Sequence, residues 1–134
     1  MLRRVVEEVA GLRVVAMDSI SIVEPDDHGQ VVIAGSNGGV ASGVVARQYA
    51  CAFVALNDAG IGKEDAGIAG IAAIDADGIP GVGIGHESAE ISDGLDTWEN
   101  GVVTYVNATA HRLGFRTGER LKEAVRRHLG APAA

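Results

Sequence analysis

The chain has 134 residues, 47% of them hydrophobic and 22% charged, which fits one globular domain able to bury roughly two-thirds of its unfolded surface. A formal net charge of −7 argues against non-specific binding to nucleic acid. No apolar run approaches the ~18–20 residues of a membrane span, and Glu7 and Glu8 interrupt the first apolar stretch before a signal-peptide core can form, so a cytoplasmic location is expected.

Residues 1–10 place Leu2, Val5, Val6 and Val9 at helical spacing with Gly11 as a stop, which predicts an N-terminal helix. Leu12–Met17 is an apolar run of strand length, broken by Asp18-Ser19 and continued by Ile20–Val23. The turn residues Pro25-Asp26-Asp27-His28-Gly29 then make residues 12–34 read as an antiparallel strand excursion. Asp18 reaches a site downstream only if its strand lies beside Val31–Ala34.

From residue 30 the pattern is strand, turn, helix, repeated. Strands are predicted at Val31–Ala34, Cys51–Leu56, Val82–Gly85 and Val102–Val106. Helices are predicted over Gly39–Ala50, Lys63–Asp77, Ser92–Asn100, capped by Ser92 or Asp93 and closed by Gly101, and Gly118–Leu129. Asn107–Leu113 follows the fourth of these strands, and residues 131–134 read as a frayed tail. The fold expected for residues 1–134 is a single α/β domain: three layers around a mostly parallel open sheet, Rossmann-like or flavodoxin-like.

Nineteen glycines, about twice the typical share of ~7%, and only one Trp, two Tyr and two Phe leave an aliphatic core with closely approaching backbones. Within Lys63–Asp77, Ile68, Ile71 and Ile74 are separated by Ala and Gly. So little polar surface calls for burial on most sides, and a homo-oligomeric interface is the expected outlet. The single cysteine, Cys51, has no internal disulfide partner and reads as a small core residue.

Each of three strands empties into a polar cluster: Gly35-Ser36-Asn37-Gly38-Gly39, Asn57-Asp58-Ala59-Gly60-Ile61-Gly62-Lys63, and His86-Glu87-Ser88. If the strands are parallel neighbours, these clusters meet in the crevice at the carboxyl ends of the strands, where α/β sheets bind ligands. His86 is the candidate for proton transfer, because an imidazole titrates near neutrality. Asp58 and Glu87 are candidates to orient it. Lys63, the only base between Arg47 and Arg112, is a candidate anion holder or base. Ser36, Asn37, Gly38, Gly39, Asn57, Gly60 and Ser88 are candidate substrate contacts, with the backbone N–H groups after Ser36 favouring an anionic group. The alternatives are capping by Ser36, Asn37 and Asn57, a surface ion pair for Lys63, and a structural role for His86.

Several motifs fail. Gly60-Ile61-Gly62-Lys63 lacks the first glycine and the hydroxyl of a nucleotide-binding P-loop. Gly81-Val82-Gly83-Ile84-Gly85 misses the dinucleotide spacing, and Ser36 does not stand in a nucleophile elbow. No cofactor is expected. A divalent metal would draw on Asp58, His86, Glu87 and Asp93, but no pair of these has a recognised ligand spacing.

The Gly35–Gly39, Asn57–Ala69 and Gly101–Asn107 blocks resemble a group of small stand-alone bacterial proteins of unassigned function. The resemblance spans roughly residues 15–125, is most specific over Asn57–Ala69, and implies no activity, cofactor or catalytic residue. The residues themselves point to an enzyme acting on a small polar, anionic metabolite by hydrolysis or proton transfer. A non-catalytic ligand-binding or sensory module and a structural oligomerising subunit are the alternatives.

Overall fold

Continuous Val, Ile and Ala runs, rather than alternating ones, are what a parallel sheet covered on both faces requires, and these runs form its centre. The computed structural model describes residues 1–132; the tail expected at its end lies partly outside these residues. Four parallel strands, β2 (Leu12–Met17), β3 (Val31–Asn37), β4 (Phe53–Asn57) and β5 (Gly81–Ile84), are neighbours in chain order. Antiparallel β1 (Arg3–Val9) and β6 (Val103–Val106) complete a six-stranded mixed sheet of order β1-β2-β3-β4-β5-β6.

Alternate strand residues face two cores. On one face, Val15, Met17, Val32, Val54 and Leu56 meet the 3₁₀ turn Ile20–Ile22, helix α1 (Val40–Gln48) and helix α2 (Ala69–Ala73), with Ile68 and Ile74 beside it. On the other, Val14, Ile33, Phe53, Ala55, Val82 and Ile84 meet Trp98 of α3 (Gly94–Asn100), and Leu121, Ala124 and Val125 of α5 (Leu121–Leu129). Short helix α4 (Ala108–Arg112) lies beside β5. Its N-cap Asn107 is buried with every polar atom used: Nδ2 donates to the carbonyls of Ile71 and Ile79, and Oδ1 accepts from Gly81 and Ala110. Cys51 is buried, and burial pushes its thiol pKa up to about 12. Among the described residues no helix is long and apolar enough to cross a membrane.

Four expectations are corrected. Residues 1–10 form strand β1, not a helix. A bulge between Val5 and Glu7 breaks the two-residue alternation, so the strand mimics helical spacing. Gly11, which reads as a helix stop, is the second residue of a tight hairpin turn in which Ala10 and Gly11 both have positive φ. The antiparallel excursion is therefore β1, while Leu12–Met17 runs parallel to β3.

The strand order is sequential and matches neither the Rossmann nor the flavodoxin order, in which the chain doubles back from a central strand. Here the links between successive parallel strands stay on the α1–α2 face, and the chain crosses to the other face only with α3.

Lys63–Asp77 is not one helix. Glu64 and Asp65 adopt positive φ, leaving a 3₁₀ turn at Lys63–Asp65, α2, and a second 3₁₀ turn at Ile74–Asp77 closed by left-handed Gly78.

The glycines of α2 answer to α1 within the same chain. A Cβ added at Gly70 would land on the Gly39 carbonyl, and one at Gly43 would press on the backbone of Gly70. Burial of this segment therefore does not require a second subunit. Gly70→Ala is expected to cost roughly 1–3 kcal/mol through overpacking. Urea unfolding at several protein concentrations should give the same loss each time, because both sides of the contact belong to one chain.

Candidate functional site

Because β2 to β5 are parallel, their carboxyl ends share one edge of the sheet. The polar clusters expected after β3, β4 and β5 therefore open on the same side. After β4 the chain turns toward α2 on one face, and after β5 it turns toward α3 on the other. The gap between two such connections is where α/β sheets form crevices. A cavity of about 260 Å³ lies there, lined by Asp58, Gly85, His86, Glu87, Ser88, Val102 and Thr104.

Asp58 is its centre. The Asp58 N–H extends the β4–β5 ladder to the Ile84 carbonyl (2.8 Å), which turns the side chain inward, where the residue is only 4% exposed. The Thr104 hydroxyl donates to Oδ2 at 2.7 Å. Oδ1 accepts the N–H groups of Gly60 (2.8 Å) and His86 (3.1 Å) and lies 3.3 Å from His86 Nδ1. Burial pushes the carboxyl pKa up, but the hydrogen bonds from Thr104, Gly60 and His86 outweigh it and hold it below the usual carboxylate range. An ionised Asp58 favours the proton on Nδ1, which leaves Nε2 as the basic nitrogen. The His86 side chain is 52% exposed, and Glu87 Oε1 stands 3.9 Å from Nε2.

The connection after β4 is held from below. Asn57 is fully buried; its Nδ2 donates to the Ala89 carbonyl (3.1 Å) and its Oδ1 accepts the Ala59 N–H (2.8 Å). Ala59, Ile61, Glu64 and Asp65 all have positive φ. Such backbone costs roughly 1–2 kcal/mol per non-glycine residue, and the Asn57 and Asp58 side chains oppose that cost. Gly60 faces the imidazole; a Cβ there would lie 3.6 Å from His86 Cε1.

The structure thus brings together Asp58, Gly60, His86, Glu87 and Ser88. Ser88 lines the cavity, but its Oγ donates to the Gly85 carbonyl (2.7 Å) and accepts the Val102 N–H (3.0 Å). The other candidates lie outside the lining. Ser36 Oγ accepts the Ile20 N–H (3.1 Å), and Asn37 Oδ1 accepts the Gly39 N–H (2.9 Å). Gly38 and Gly39 are packed against α2 and the turn before it, and Lys63 is exposed on its 3₁₀ turn. Asp18 does end the strand beside β3, yet its carboxylate takes the N–H groups of Leu2 (2.7 Å) and Gly94 (3.0 Å), which lower its pKa. Asp93 caps α3 by accepting the Asp96 N–H (2.9 Å). Among the described residues no three His, Cys, Asp or Glu side chains gather where a metal could be held.

Thr104 is the site residue that sequence reasoning misses. Its contact exists only because β6 returns antiparallel to β5, with Gly83 opposite Tyr105. A larger concavity of about 780 Å³ runs along α5 between Glu7, Glu99, Arg120, Lys122, Arg126 and Arg127. Its bases are already engaged: Arg126 with Glu7, Lys122 with Glu99, Arg127 with Glu119, and Arg120 with the Glu99 carbonyl. The smaller cavity is the one with an accessible imidazole nitrogen. Comparison with protein families, curated proteins and solved structures finds no match to the chain.

Asp58 stabilises the fold above the ordinary carboxyl range, near pH ~3.9, and that contribution is lost as pH falls through its depressed native value. Thr104→Val removes one donor from a buried charge. It is expected to cost about 1–3 kcal/mol near neutrality and to raise the Asp58 pKa. A carboxyl NMR titration, with urea unfolding between neutral and acid pH, should show an acid loss that starts at the same pH in both chains but is smaller and complete at higher pH in the variant.

Proposed function

We propose that the chain is an acid–base enzyme acting on a small polar metabolite in the Asp58–His86 cavity. The observation that carries this reading is the pairing of a buried, ionised carboxylate with one nitrogen of a half-exposed imidazole. In this reading His86 Nε2 accepts a proton from the substrate or from an attacking water, and Asp58 steadies the imidazolium that forms. Asp58 acts as a positioning residue, and Thr104 and the Gly60 N–H keep it charged and fixed.

Ser88 is tied into its own loop, so a covalent serine step is disfavoured, and water activation or carbon-acid proton transfer remains. The expected anionic substrate loses its main supports. Lys63 and the Ser36–Gly39 loop do not line the cavity, while Asp58 and Glu87 make it negative. A neutral polar substrate suits this lining better, and about 260 Å³ holds a small one. The proposal sets this chemistry in the cytoplasm.

A thermal-shift screen against small polar metabolites tests it, since a ligand at 100 times its Kd adds about 2.7 kcal/mol to apparent stability. Ligands found this way should be consumed by the native chain. His86→Gln should keep the thermal shift and lose about 10²–10⁴-fold in turnover. Ser36→Ala and Lys63→Ala should change neither. A ligand that binds and is never consumed would replace the enzyme reading with a binding module.

A further inference from the structure

The two edges of the sheet are treated differently. Outside β6, the chain's own Gly118–Arg120 segment supplies partners: the Val103 N–H donates to the Glu119 carbonyl (2.9 Å) and the Gly118 N–H to the Val103 carbonyl (2.8 Å). Outside β1, no segment of the described chain pairs with the strand. An open edge offers a row of backbone donors and acceptors to another strand.

Along that edge the order is Arg3-Arg4-Val5-Val6-Glu7-Glu8: a basic half, an apolar middle and an acidic half. Val5, in the middle, is 42% exposed. The register with β2 assigns the faces. Arg3, Val5 and Glu8 lie opposite Met17, Val15 and Arg13, on one face of the sheet, whereas Arg4 and Glu7 lie opposite Ala16 and Val14, on the other. The bulge between Val5 and Glu7 produces this grouping, because it reverses the alternation halfway along the strand.

We propose that β1 is the contact between two copies of this chain, which join antiparallel about a two-fold axis and continue the sheet from one copy into the other. In that arrangement Arg3 lies opposite Glu8 of the second copy, and Arg4 opposite Glu7 of the second copy, each pair on a common face. Arg3 already holds Glu24 and Asp27, and Glu7 holds Arg126, within the chain. Arg4 and Glu8 are exposed and have no ion-pair partner among the described residues, and the two-fold supplies one to each. Charges on an edge strand deter pairing when like signs meet. An antiparallel copy sets Arg against Glu at both ends of the strand, whereas a parallel copy would set Arg against Arg. Strand pairing alone gives an interface at the small end of the specific range, so the dimer is sensitive to dilution and, through its ion pairs, to salt.

Light scattering coupled to size exclusion tests this over a wide concentration range, at low and high salt. The native chain should approach twice its 13.7 kDa mass at high concentration and low salt, and fall toward the monomer on dilution or with added salt. Arg4→Glu and, separately, Glu8→Arg set like charges against each other. Each should weaken the dimer by about tenfold or more, with an unchanged circular dichroism spectrum. If one variant fails to fold, the other decides. A native chain that is monomeric throughout, or a dimer that survives the folded variant, overturns the proposal.

Discussion

One buried carboxylate holds together the edge of the sheet where β4 and β5 end. Asp58 directly follows β4, yet its donors come from the connection after β4, from the connection after β5, and from β6. A charge this far from water is stable only while those donors stay in place. The converse also holds, because the connection contains left-handed Ala59 and Ile61, which would relax without Asn57 and Asp58 to grip its N–H groups. Charge burial and backbone strain thus offset each other. The imidazole of His86 sits where the two meet.

That coupling explains why the cavity lies between β4 and β5 and not elsewhere along the same edge. Between β3 and β4 the loops are closed by close packing: Gly38 lies against Ile71, and the Gly35 backbone lies against Ser92 and Asp93. There the chain spends its glycines on contact between its own elements. Between β4 and β5 the departing connections separate onto opposite faces, and a glycine, Gly60, faces a ring instead of a backbone.

Much of this was legible in the sequence, and the limits have physical causes. Continuous apolar runs announced β2 to β5, because strands buried on both faces need no polar alternation. Asp93 and Gly101 marked helix ends through capping chemistry that acts locally. What failed was whatever depended on distant partners. The β1 bulge counterfeited a helix. The segment after Lys63 read as one continuous helix, because the close approach of α1 to α2 and the left-handed Glu64 and Asp65 that divide it are not visible in its spacing. Among the polar clusters, Asp58 and His86 could be named because their residue types suit proton chemistry, but Ser36, Asn57 and Ser88 look alike in sequence whether they face a ligand or a backbone N–H. Only the fold shows their partners, and here the side chains of all three hydrogen-bond backbone groups, Ser88 while also lining the cavity.

The same reasoning separates the two concavities. Size alone favours the groove along α5, but a site needs a group whose bonding capacity is incomplete before the ligand arrives. Arg126, Lys122 and Arg127 have carboxylates at their tips, and a ligand would have to displace them at the cost of existing pairs. His86 differs because one nitrogen is engaged by Asp58 while the other meets only a highly exposed Glu87 at 3.9 Å. The half-committed imidazole is held in orientation by its bonded side and left available on its open side, and that asymmetry distinguishes the smaller cavity from the groove along α5.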